Sequence, residues 1–175
     1  MSDPVFDHDT VLGYLNELGQ ELDGHGVRGE LYVVGGAALA LAYDGRRTTR
    51  DIDAVFEPKV AVYRAAGVLA ERHGLPPAWL NDAVKGLVPA GDPDAVCVLD
   101  VRGLAVSVAS PRYLLAMKVA AARVDRDVDD IALLANLCGA QTAQDVLDIV
   151  VSVWGADTGL TPKAQFMVEE LFSNG

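Results

Sequence analysis

Disulfides, a zinc site and a membrane span are the first things this chain has no material for. Its two cysteines, Cys97 and Cys138, stand far apart in 175 residues, and the three histidines, His8, His25 and His73, are too scattered to hold zinc. Reduced, buried thiols are expected of both cysteines. The longest nearly apolar run, residues 31–43, is too short to cross a bilayer, and the first residues, MSDPVFDHD, are acidic. Repeats and low-complexity tracts are missing. A soluble, cytoplasmic protein with no membrane partner is therefore expected. Basic residues are also in short supply, 14 against 25 acidic ones, and a net charge of −11 argues against a surface coated for nucleic acid.

The charge is unevenly distributed, however. Residues 1–45 carry one basic and eight acidic side chains, and residues 127–175 repeat that ratio. Residues 46–126 carry twelve basic against nine acidic ones, so a segment of net +3 lies between two of −7. Basic side chains therefore gather in the middle of the chain, as phosphate handling requires. The acidic flanks read as solvated faces or, less simply, as a surface for a basic partner. An apolar content of 51% is ample for one core, and a single domain over 1–175 is expected, with a core at about 30–135 and a helical C-terminal part at about 110–175.

The most informative stretch is 31–56, LYVVGGAALALAYDGRRTTRDIDAVF. Residues 31–34 suit a buried strand, and Gly35-Gly36 follow where that strand should turn into a helix, expected over 37–43. Two glycines permit close backbone approach, and amides at a helix start attract phosphate. Asp44-Gly45 ends the helix, residues 46–50 form a loop with three arginines, and a strand is expected from Asp51. Asp51 and Asp53, two apart on a strand, share a face while Ile52 points into the core. Paired carboxylates repel unless a cation lies between them, and hard oxygen ligands suit Mg²⁺ shared with a substrate's phosphates. A phosphate cradle beside such a pair describes phosphoryl or nucleotidyl transfer. The plainer alternative is a β-α-β edge whose aspartates merely open a strand.

Elsewhere, helices are expected over 10–22, with a cap at residue 9 or 10, and over 58–73, stopped by Gly74 and Pro76-Pro77. A short helix is expected at 79–87, and strands at 95–101 and 104–109 joined by a tight Arg102-Gly103 turn. Ser110-Pro111 is a strong helix start. Nine of the ten residues 113–122 are apolar and the exception is Lys118, which either snorkels to the surface or holds a phosphate or carboxylate. Asp127 and Asp130, three apart, share one face of a further helix within reach of Arg123 and Arg126. Acids at a helix start also favour its dipole without any chemistry. Helical segments at 133–138, 143–154 and 161–172 complete the chain.

Gly35-Gly36 followed by Arg47-x-Thr49-x-Asp51-Ile52-Asp53 resembles the signature of the minimal nucleotidyltransferases of the polymerase-β superfamily, in particular the AbiEii and MenT-type toxin branch. Lys118, the small Ala121, Arg123 and then Arg126-Asp127-x-x-Asp130 resemble the later motif of the same enzymes. The resemblance covers roughly residues 30–135. It implies an α/β (α+β) polymerase-β-like nucleotidyltransferase fold, a short mixed sheet with surrounding helices and a helical C-terminal half. It also implies a metal-dependent enzyme that moves a nucleoside monophosphate from an NTP to an acceptor hydroxyl. By that analogy the acceptor is the tRNA 3′ end, and the protein is the toxin of a toxin-antitoxin pair with a cognate antitoxin as partner. Asp51 and Asp53 would hold Mg²⁺. Gly35, Gly36, Arg47, Thr49 and Lys118 would bind the nucleotide, and Asp127 or Asp130 would join the site. Such enzymes often carry a third carboxylate on a later strand, a place that Asp100 could fill. The rival readings are a non-catalytic module of the same fold and an enzyme that modifies a protein or a small molecule.

Overall fold

The computed structural model describes residues 4–156 and 160–173, which fall into two compact units. One unit comprises the chain up to Gly86 together with Asp94–Ala109, and the other Leu87–Pro93 together with the chain from Ser110 onward.

The first unit is a five-stranded mixed sheet backed by two helices. Helix α1 (His8–Gly24) leads into β1 (Gly29–Val34), a one-turn α2 (Gly35–Ala38), and a π-helical turn over Leu39–Tyr43. Then come β2 (Ile52–Glu57), α3 (Lys59–His73), the two-residue β3 (Leu80–Asn81), β4 (Val96–Val101) and β5 (Leu104–Val108). The strand order is β3-β2-β1-β5-β4, with β1 antiparallel to β2, parallel to β5, and central. Side chains alternate between the two faces of a strand. Leu31 and Val33, Ile52, Ala54 and Phe56, and Leu104, Val106 and Val108 are all buried on the face that α1 and α3 cover. From the helices come Val11, Leu15, Leu18 and Leu22, and Val62, Ala65, Ala66 and Leu69. The other face carries Glu30, Tyr32, Asp53, Val55, Glu57, Ala105 and Ser107, all half-buried or exposed.

Four expectations are corrected in this unit. The helix after β1 begins at Gly35, not at residue 37, and its last five residues widen into a π turn closed by the Asp44 N–H donating to the Leu39 carbonyl (2.8 Å). The cap of α1 is Asp7, whose carboxylate accepts from the Thr10 N–H (2.8 Å). The segment 79–87 is no helix: Leu80-Asn81 pairs in parallel with Ile52-Asp53, and only Lys85–Leu87 makes a 3₁₀ turn. Trp79 decides this, because its ring is fully buried with Nε1 donating to the Ala66 carbonyl (3.0 Å) while its own carbonyl accepts from Ile52 (2.7 Å). Cys97 lies exposed on the edge strand β4, beside a register shift, and is not buried.

The second unit is helical: α4 (Pro111–Ala121), α5 (Val124–Leu137), α6 (Ala143–Trp154) and α7 (Pro162–Ser173). The Ser110 hydroxyl caps α4 by accepting from the Tyr113 N–H (3.4 Å), with Pro111 in the first turn. Thr142 and Asp145 form a reciprocal capping box at α6. Residues 133–137 are the last part of α5 and not a separate helix. Leu114, Leu115 and Val119, Ile131 and Leu134, Val146 and Val150, and Met167 and Val168 make the apolar core of this unit. Cys138 is half-buried, and burial pushes its thiol up from the ordinary range.

Candidate active site

The Asp pair stands at the start of β2, where the sheet register sets Asp53 opposite Val34, the residue before the Gly pair. Gly35 has φ +66°, a conformation that costs a side-chain-bearing residue but not glycine. A Cβ at Gly35 would lie 3.4 Å from Asp53 Oδ2, and one at Gly36 would lie 3.3 Å from Thr49 Oγ1. The carboxylate of Asp53 and the hydroxyl of Thr49 therefore lie close against the two glycines, and a side chain at Gly36 would press on the Thr49 hydroxyl. Five of the expected residues, Gly35, Gly36, Thr49, Asp51 and Asp53, thus come together in one corner of the first unit. Asp51 is exposed and Asp53 half-exposed. Strand alternation sends Asp53 to the face opposite α1 and α3, whereas Asp51 precedes the strand, which begins at Ile52 and not at Asp51 as expected.

The loop between the π turn and β2 is held by its own short contacts. Asp44 accepts from the Arg46 N–H (3.2 Å) and its other oxygen lies 3.4 Å from Arg47 Nε. The Arg46 amide, and then the charge of that arginine, hold the Asp44 carboxyl below the usual carboxylate range. Arg46 is nearly fully exposed while Arg47 is 29% exposed, so Asp44 orients Arg47 and leaves Arg46 in water. Thr49 pairs by backbone with Phe6 in both directions (2.7 and 2.9 Å), and its hydroxyl donates to the Asp51 carbonyl (2.8 Å).

Asp100 stands at the other end of the sheet. It pairs with Ala105, which lies level with Glu30 and Glu57, whereas Asp53 lies level with Val34. Strand geometry puts it about 13 Å along and roughly 14 Å across from Asp53. It is bonded to Arg28 (2.6 Å) and cannot share an ion with the Asp pair. Asn81 was hidden by the expectation of a helix at 79–87. It is the register partner of Asp53, but its amide is spent on its own turn, donating to the Ala78 carbonyl (3.3 Å) and accepting from the Ala83 N–H (3.2 Å); Pro76-Pro77 together with Asn81-Asp82 were the turn signals that could have exposed it. β3 is anchored in turn to α3, because the Asp82 carboxylate accepts from both Lys59 and Tyr63. That pairing with Lys59 first, and Tyr63 second, holds Asp82 below the usual carboxylate range.

Lys118, Asp127 and Asp130 lie in the second unit and meet there. Lys118 Nζ is 2.8 Å from Asp127 Oδ1 and 2.7 Å from Asp130 Oδ2, with side-chain exposures of 13%, 5% and 12%. Of the two possibilities for a lone lysine in an apolar helix, this side chain does not snorkel; it holds carboxylates. Arg123 Nε approaches Asp127 Oδ2 to 3.2 Å, at an angle that leaves this buried oxygen without a hydrogen bond among the described residues.

Among the described residues no three His, Cys, Asp or Glu side chains gather as a metal site. The donor chemistry of Asp51 and Asp53 nevertheless fits Mg²⁺, which is usually bound by one or two carboxylates while water and substrate phosphates complete its shell. No helix among the described residues is long and apolar enough to cross a membrane.

A family model described as a nucleotidyltransferase of unknown function (DUF6036) matches residues 11–151, and the chain belongs to that family. No curated protein and no solved structure matches it.

Proposed function

From membership of that nucleotidyltransferase family, we propose that the protein moves a nucleoside monophosphate from an NTP to the 3′-terminal hydroxyl of a tRNA, as the toxin of a toxin-antitoxin pair. The observation that carries the chemistry is the stacking of the Asp53 carboxylate on Gly35, with solvent-accessible Asp51 beside it. Asp51 and Asp53 would hold Mg²⁺, which when bound neutralises the triphosphate and eases deprotonation of the acceptor hydroxyl. The backbone of Gly35 and Gly36, the Thr49 hydroxyl and the Asp44-oriented guanidinium of Arg47 position the phosphates. Positioning and charge neutralisation are most of what such a transfer needs. The acceptor oxygen bonds to the α-phosphorus, the bond to the bridging oxygen breaks, pyrophosphate leaves, and the hydroxyl proton passes to solvent.

The resemblance assigns a phosphate to Lys118 and a place in the site to Asp127 or Asp130. In this state the Lys118 ammonium directs two of its three donors to those carboxylates. Phosphate binding there would require at least one carboxylate to give way. In support of a nucleic-acid acceptor stand the basic middle of the sequence and the exposed Arg46 and Arg50 on the loop that leads into the Asp pair.

The protein should be incubated with each labelled NTP, Mg²⁺ and either total tRNA or an RNase-treated extract. Label that enters tRNA, and is lost when EDTA is added, is the expected result. Label that RNase cannot remove would transfer the acceptor to a protein or small molecule. Absence of transfer from all four NTPs would refute the reading.

A further inference from the structure

Three aromatic side chains far apart in sequence meet behind the Asp pair, within the first unit. Phe6 packs edge-on to Tyr14 with ring centres 5.6 Å apart, and Tyr14 packs edge-on to Trp79 at 5.7 Å. Phe6 is 2% exposed and Trp79 fully buried. The outer members of this row grip the chain on either side of Asp51. Phe6 exchanges two backbone hydrogen bonds with Thr49, and the Trp79 carbonyl accepts from the Ile52 N–H. Asp51 therefore lies within, and Asp53 directly after, a segment at 49–52 whose backbone is tied at both ends to one aromatic row with Tyr14 at its centre. Within the loop, the Thr49 hydroxyl on the Asp51 carbonyl and the Asp44 contacts hold its shape, and the aromatic row fixes it to the rest of the unit. The loop has three arginines, two threonines and no apolar anchor of its own.

We propose that the Phe6–Tyr14–Trp79 row is the positioning device of the site, holding the segment that carries Asp51 and Asp53 beside Gly35 through the backbone of Thr49 and Ile52; this rests on reading Asp51 and Asp53 as the metal-holding pair. None of the three rings needs to touch the nucleotide. Their part is to fix the backbone from which both carboxylates project. Tyr14 is the residue to vary, because it contacts both outer rings and makes neither of the backbone bonds.

Two readouts separate positioning from simple stability. Amide exchange reports the Thr49 and Ile52 N–H groups directly, against the amides of α3 as reference. Binding of Mg²⁺ with non-hydrolysable analogues of the four NTPs reports the site without turnover. In Tyr14→Ala, Thr49 and Ile52 should exchange at least about tenfold faster relative to α3, and affinity for the bound analogue should fall by roughly tenfold to a hundredfold. Tyr14→Phe should restore both. Phe6→Leu, which trims one end of the row and leaves α1 intact, gives a smaller shift of the same kind and serves if Tyr14→Ala does not fold. The inference is overturned if Thr49 and Ile52 exchange no faster than α3, or if they do while analogue affinity stays at the wild-type value. Wild-type protein that binds none of the analogues would instead remove the reading of Asp51 and Asp53 on which the inference stands.

Discussion

The two units each hold one of the aspartate pairs singled out by the sequence, and the two pairs differ in burial. Asp51, just before β2, is exposed, and Asp53, the second residue of β2, is half-exposed and lies against Gly35. Asp127 and Asp130 are three apart on a helix, buried, and neutralised by Lys118 with help from Arg123. A pair of carboxylates is thus not by itself a metal site. What matters is whether the fold supplies the countercharge internally or leaves it to come from solution. The second unit supplies a lysine to its pair. The first leaves its pair within reach of solvent.

The sharpest break of this comparison is removal of the internal cation. Lys118→Met would strand two buried carboxylates, and loss of one partner of a buried ion pair costs about 3–5 kcal/mol. Chemical denaturation should show a loss of that size, and adding Asp127→Asn and Asp130→Asn should return much of it. A melting midpoint unmoved by Lys118→Met would show that the triad carries no stability and free Lys118 for a phosphate.

Next in size is the opposite result at the other pair. Asp53→Ala should lower nucleotide transfer by about 10²–10³-fold, the range for losing one preorganised electrostatic contact to a transition state. The same change should leave the protein folded, with a far smaller change in stability than Lys118→Met brings. Activity lost only in step with unfolding would make the Asp51–Asp53 pair structural after all.

A smaller effect concerns acid. Asp145 is held below the usual carboxylate range by the amides of Gln141 and Thr142, and Asp7 by Thr10. A depressed folded-state pKa contributes stability that is present above the ordinary aspartate range and is lost as pH falls through the folded value. Lowering pH from about 5 toward 1 should therefore loosen the first turns of both α6 and α1, seen as a fall in the protection of the Thr142 and Thr10 amides relative to their unfolded exchange rates at each pH. Asp145→Asn should make the α6 response flat in pH while α1 keeps its own.

The smallest effect is expected at Asp100. The Arg28–Asp100 pair is exposed, at 47% and 65% for the two side chains, and pairs of that kind contribute about 0–1 kcal/mol. Asp100→Ala should change neither transfer nor stability beyond that. A large loss of transfer in this variant would join the two ends of the sheet in one site and undo the assignment made from the register.

Much of this was legible from local pattern. The Ser110-Pro111 start, the extent of α6 and the β4–β5 hairpin follow from capping, periodicity and turn chemistry. The alternation around Ile52 likewise gave its burial and the opposite facing of Asp53. A short apolar stretch ending in a turn was harder. Residues 79–87 have no periodicity that separates a strand from a helix, and only the burial of Trp79 against Ala66 and the open edge of β2 made Leu80-Asn81 extended.

The sequence alone therefore determined the strand-glycine-helix corner, the carboxylate spacing at 51 and 53, and the helical second unit, because each depends on residues within one or two turns of one another. The tertiary structure alone decided three other things. It put Asp100 at the wrong end of the sheet for the Asp pair, it gave Lys118 two carboxylate partners, and it tied Thr49 and Ile52 to aromatic rings from three other segments. The physical reason is the same in each case. Sheet register, burial of charge and ring contacts join residues separated in the chain, 9 positions apart in the Lys118–Asp127 pair and 72 in the Arg28–Asp100 pair, and no local propensity encodes which of several possible partners will be met.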